Sequence, residues 1–66
     1  MNNIAGSDVK KYRERNNLSQ QMFGDMIKMS KESVCKWETG RSIPLSTQLL
    51  ITSIFKDFYE VINENR

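Results

Sequence analysis

Apolar residues in this chain recur three and four positions apart, from Val9 and Tyr12 near its start to Val61 and Ile62 near its end. That spacing lines up side chains on one face of an α-helix and does not suit a half-buried strand. The pattern is cut at short intervals. Asn16-Asn17 favours a turn and tolerates left-handed backbone. Ser19 and Ser30 each stand where a helix N-cap is expected. Gly40 suits the residue just past a helix end, and Pro44 bars direct continuation. The sequence therefore predicts an all-α domain of four or five short helices.

Packing must hold such a chain together unaided. It has 66 residues, one cysteine and no histidine. No internal disulfide, four-cysteine zinc site or CxxC redox pair can form. His-ligated metals and histidine acid–base chemistry are excluded. With no clustered nucleophile and base, no catalytic residue, metal or cofactor is expected, and the chain does not read as an enzyme. A chain this short buries only about 60% of its unfolded surface, which leaves a thin margin of stability. No apolar run approaches the ~18 residues that span a bilayer. The opening MNNIAGSD lacks the basic flank and apolar core of a signal peptide. The expectation is one domain over residues 1–66 in a reducing cytoplasm.

The first helical segment is expected over about residues 7–15, capped by Ser7 or Asp8, with Val9 and Tyr12 facing inward. The second starts at Ser19 and buries Met22, Phe23, Met26 and Ile27. The third starts at Ser30, with Glu32 and Ser33 in its first turn and Val34 and Trp37 inward. Phe23, Met26, Val34 and Trp37 read as core rather than as a cofactor pocket. A fourth is expected from Ser46. After it, Leu49, Leu50, Ile51, Ile54, Phe55, Phe58, Tyr59, Val61 and Ile62 keep helical spacing. They form either one helix over residues 46–62 or two that break near Lys56-Asp57.

Net charge is +2, unevenly placed. Residues 1–44 hold eight Lys and Arg against five acids; residues 45–66 hold two against three. Such a split suits a basic face toward a polyanion and a tail toward another protein, or arises by chance in a short chain.

Residues 19–40 read as cap, short helix, break, cap, short helix, glycine: the frame of a helix-turn-helix at about 19–39. The run LSQQMFGDMIKMSKESVCKWETGRSIP, residues 18–44, resembles the Cro and phage-repressor helix-turn-helix family, also called the XRE family. Leu18-Ser19-Gln20 is similar to its start of helix 2, and Ser30 to its recognition-helix cap. Trp37-Glu38-x-Gly40 followed by Pro44 is similar to its closing signature. Val9, Tyr12 and Arg13 fall at its helix 1 positions. The match covers about residues 8–55 without a gap, and implies a lambda-repressor-like fold. Two positions depart from the pattern. Lys28 stands where the family has a glycine in left-handed backbone, at a cost of about 1 kcal/mol if that backbone is kept. Gly24 stands where it has alanine.

With Val34 at the centre of the inward face, Glu32 and Lys36 point nearly opposite, Ser33 and Cys35 flank them, and Lys31 sits at the N-terminal tip. Lys31, Glu32, Ser33, Cys35 and Lys36 are thus the candidate base-facing set. Lysine donates to guanine O6 and N7, and glutamate accepts from cytosine N4. Alternatively these are solvated surface charges, and Glu32 holds Lys36 at i, i+4. Ser19 and Gln20 open helix 2, where unpaired backbone N–H groups attract a phosphate. The resemblance places Ser19, Gln20, Ser30, Arg41 and Ser42 on the DNA backbone. It also implies an ion pair between Arg13 and Glu38. Cys35 is either a small reduced side chain or an oxidation sensor.

In the C-terminal third, Ile51, Phe55, Phe58 and Ile62 form one apolar stripe, and Leu50, Ile54 and Val61 a second beside it. Together they exceed what so small a domain buries, so part is expected to face a partner. Phe58, Tyr59, Val61 and Ile62 are the candidate dimer interface, within a dimerisation segment at about residues 46–63. The function expected is that of a homodimeric, sequence-specific regulator of double-stranded DNA, a repressor that binds a palindromic operator at a phage, mobile-element or toxin–antitoxin promoter, its own gene's included. The competing reading is a protein-interaction module, an antitoxin or antirepressor whose stripe binds a toxin or repressor.

Overall fold

The computed structural model describes residues 3–64. Five helices follow one another: α1 (Gly6–Arg15), α2 (Gln20–Met26), α3 (Lys31–Glu38), α4 (Leu45–Ile54) and α5 (Phe58–Ile62). There is no strand among the described residues, so the fold is the expected all-α one.

Local chemistry sets most boundaries. Ser19 Oγ accepts from the Met22 N–H at 3.0 Å, and Ser30 Oγ from the Ser33 N–H at 3.1 Å, so both serines are N-caps. α1 starts earlier than expected, with Ala5 as its N-cap. Asp8 is not the cap but its helper: its carboxylate accepts the Ala5 N–H at 3.0 Å. Asn17, Lys28 and Gly40 follow α1, α2 and α3 with φ of 57°, 61° and 121°. α4 begins at Leu45, directly after Pro44 and with no side-chain cap, rather than at Ser46. Residues 55–57 interrupt the C-terminal apolar run and separate α4 from α5.

The core joins Ile4, Val9, Tyr12, Phe23, Ile27, Val34, Trp37, Ile43, Ile51, Phe55 and Phe58. Its centre is aromatic. Phe55 stacks on Phe23 at 4.9 Å between ring centroids, and Tyr12 lies 5.0 Å from Phe55 and 4.9 Å from Phe58. Tyr12 Oη donates to Asp57 Oδ1 at 2.6 Å, pinning α1 to the α4–α5 corner. Burial, then that carboxylate, pushes the phenol up to about 12. Lys11 Nζ closes the end of α5 by donating to the carbonyls of Ile62 and Glu64.

Two expectations about the core are corrected. Met22 and Met26 are half-exposed at 48% and 47%, not buried. α2 has only seven residues; Phe23 and Ile27 fill its inward face and Gly24 faces the turn into α3, so the methionines fall on the opposite flank. Phe58 is fully buried and belongs to the core, not to a partner surface. Tyr59, Val61 and Ile62 are half-buried and pack against that core. Besides those two methionines, the large exposed apolar side chains lie on α4, at Leu45, Leu49, Leu50 and Ile54.

Candidate nucleic-acid interface

α2, the turn at residues 27–30 and α3 pack as one unit. Gly24 lets the turn close: a Cβ there would sit 2.6 Å from the Met29 carbonyl oxygen, and the Met29 N–H donates to the Gly24 carbonyl at 2.8 Å. Lys28 occupies the left-handed position in this turn despite its side chain.

α3 buries Val34 and Trp37 and turns its other faces outward. Lys31, Glu32, Cys35 and Lys36 are exposed, and Ser33 is half-buried. The ion pairs among the described residues are Arg13–Glu38 and Arg15–Glu64, so Glu32 does not hold Lys36. Ser30 donates through Oγ to Ser33 Oγ at 3.1 Å while capping the helix. Cys35 is a free, exposed thiol on this surface.

The ion pair expected between Arg13 and Glu38 is present and two-pronged. Arg13 Nε and Nη2 donate to Glu38 Oε2 and Oε1 at 2.8 and 3.0 Å. Arg13 Nη1 also donates to the Leu18 carbonyl at 2.9 Å. The side chains are only 14% and 6% exposed. Burial pushes the Glu38 carboxyl up. The hydrogen bonds from Arg13 and Gln20, with the nearby charges of Arg13 and Lys10, outweigh that and hold it below the usual carboxylate range. The bond to Glu38 raises the arginine in turn. Gln20 joins the same carboxylate through Nε2 at 3.1 Å, so one group ties α1, α2 and α3 together.

Two flanks of α3 therefore carry the candidate backbone contacts. Ser19, exposed, and Gln20, half-buried, lie at the start of α2 beside Glu38. On the other flank, Met29, Ser33, Lys36, Arg41, Ser42 and Pro44 line a shallow cleft between α3 and the loop that follows it. Met29 and Pro44 carry no signal in the sequence for this place, because their position depends on how the loop folds back. The same holds for Gly6. A Cβ on it would run into the Trp37 carbonyl oxygen, so glycine is what lets α1 meet the end of α3.

Among the described residues, no three His, Cys, Asp or Glu side chains group so as to hold a metal. No helix there is long and apolar enough to cross a membrane. What the surface offers is basic and hydroxyl side chains around an exposed helix. The profile of the helix-turn-helix family matches residues 9–51. The chain belongs to the helix-turn-helix family of Cro and phage-repressor type. In this helix-turn-helix protein α2 and α3 pack across the tight turn at residues 27–30, and the family is one of DNA-binding regulators. No curated protein and no solved structure matches the chain.

Proposed function

We propose that the protein is a sequence-specific repressor that binds a palindromic operator in double-stranded DNA as a homodimer. The observation that carries this reading is the outward surface of α3. Lys31, Glu32, Cys35 and Lys36 are exposed on it, between Ser19-Gln20 on one flank and Arg41-Ser42 on the other. α3 enters the major groove, where Lys36 and Lys31 donate to guanine and Glu32 accepts from cytosine. Ser19, Gln20, Ser30, Arg41 and Ser42 contact phosphates and fix the register. The apolar face of α4 joins two copies, which sets their recognition helices about one DNA turn, ~34 Å, apart. Occlusion of a promoter is the simplest mechanism for such a protein, acting in the cytoplasm.

Selection from a random-sequence duplex pool tests this, followed by fluorescence anisotropy on the enriched duplex and on a scrambled copy of it across a salt series. The expected result is an inverted repeat that binds tightly, with weak, salt-steep binding to the scramble. No enrichment, with equal affinity for both duplexes, would remove sequence-specific recognition. The α4 face would then favour a protein partner.

A further inference from the structure

The loop between α3 and α4, residues 41–44, has no regular structure, yet it carries Arg41 and Ser42 to the edge of the α3 surface. Its path is fixed at both ends. On the α3 side, the Arg41 N–H donates to the Lys36 carbonyl at 2.9 Å. On the α4 side, the Ile43 side chain is buried, and its carbonyl accepts from Gln48 Nε2 at 2.9 Å. The other end of the same amide is also used: Gln48 Oε1 accepts the Ile4 N–H at 2.9 Å. Ile4 is itself buried in the core. A single half-buried amide on α4 thus joins the segment before α1 to the loop after α3. Arg41 and Ser42 lie exposed between the two holding points.

We propose that Gln48 is a positioning residue for DNA binding, its amide holding the Ile43 carbonyl so that Arg41 and Ser42 are set to meet a phosphate. This rests on the reading of the protein as a DNA-binding regulator with Arg41 on the backbone. Gln48 touches no DNA. It acts by ordering the loop before the duplex arrives, which removes an ordering cost from association. Because the contact it supports is to the backbone, the effect is the same for every base sequence. An amide is suited to this place: it presents one acceptor and donors at opposite edges, matching one N–H and one carbonyl.

The test is a double-mutant cycle with Arg41→Ala. Gln48→Met keeps the side chain's length and removes both hydrogen bonds. Gln48→Asn, one methylene shorter, reaches only one partner and serves if the first variant unfolds. Affinity is read by anisotropy on a mixed-sequence duplex and on the duplex enriched by the wild type, across a salt series, with each variant folded by circular dichroism. Gln48→Met is expected to weaken both duplexes alike, roughly three- to tenfold, and to reduce the slope of log affinity on log salt by about one for each protomer bound, as Arg41→Ala does. In the Arg41→Ala background, changing Gln48 then costs much less than it does in the wild type, only the Ser42 contact being left to lose. Additive losses, an unchanged salt slope, or a loss confined to one sequence would overturn the proposal while leaving the DNA reading intact. A wild type with no salt-dependent binding to either duplex would remove that reading, and this proposal with it.

Discussion

At the scale of single residues, Glu38 carries the most. Its carboxylate is shared by Arg13 from α1 and Gln20 from α2 while it sits at the end of α3. Removing the charge leaves Arg13 nearly buried without its partner, and breaking such a pair costs about 3 kcal/mol. Glu38→Gln should show that loss in urea denaturation. The pH dependence has a definite sign. The Glu38 carboxyl is held below its usual value in the fold, so the unfolded chain takes up a proton first as pH falls. Its contribution is therefore complete above the ordinary carboxylate pKa and lost as pH drops through the lower, folded value. Stability of Glu38→Gln should accordingly fall less steeply than the wild type's across the acid range; parallel curves would show that another group sets the acid limit. Lys28 makes the opposite case. It holds φ of 61° in the turn with its side chain exposed. Lys28→Gly should raise stability by about 1 kcal/mol, since only glycine takes that backbone without steric cost. A thermal midpoint that stays level or falls would mean that the lysine makes a compensating contact.

At the scale of elements, α2 and α3 were legible because their punctuation is chemical and local. Ser19 and Ser30 cap by hydrogen bonds to residues three places on, and Gly40 takes a positive φ. The start of α1 was misread for a reason of the same kind. An acid near a helix start serves either as the cap or as the group that reaches back to it, and Asp8 does the second. The C-terminal third was least legible. Its apolar spacing runs unbroken through residues 55–57, where the chain turns. Phe58 looks surplus until the ring of Tyr12 is placed against it, and Tyr12 lies far away in sequence. The outward position of Lys31, Glu32, Cys35 and Lys36 follows from helix phase alone, whereas the cleft beside them depends on tertiary folding of the loop. The two flanks and the face of α3 predict different mutant behaviour. Lys36→Ala should relax preference at one or two base pairs, at a cost of about 1–3 kcal/mol on the operator and much less on random duplex. Gln20→Ala should weaken both together. Equal losses on both duplexes for Lys36→Ala would move that lysine from the bases to the backbone.

At the scale of the whole molecule, the feature left over is α4. Its sequence, LSTQLLITSI, has no charged residue. Thr47 and Ile51 face the core, while Leu45 is 64% exposed, Leu49 60%, Ile54 39% and Leu50 38%. Single exposed apolar side chains are ordinary, but three leucines and an isoleucine on one uncharged helix, with Ser46 and Ser53 lying between Leu45 and Leu49 on one side and Leu50 and Ile54 on the other, make an apolar patch crossed only by two serines. A two-fold axis beside α4 would set this patch against its own copy and satisfy both at once. The DNA reading needs such an axis. On that reading one recognition helix of eight residues would reach few base pairs, and tight binding to a long site would take two such helices acting together. Leu49→Glu tests both demands together. Leu49 is mostly in solvent, so the fold and its circular dichroism should be kept. A pair of facing carboxylates should leave monomers by light scattering. Affinity for the full inverted repeat should then fall by about 10²-fold or more, as the second half-site becomes an independent event, while the weak affinity for a single half-site is unchanged. A variant that remains dimeric moves the axis away from α4. A monomer that still binds the full repeat tightly separates DNA recognition from self-association, leaving the α4 patch to another protein.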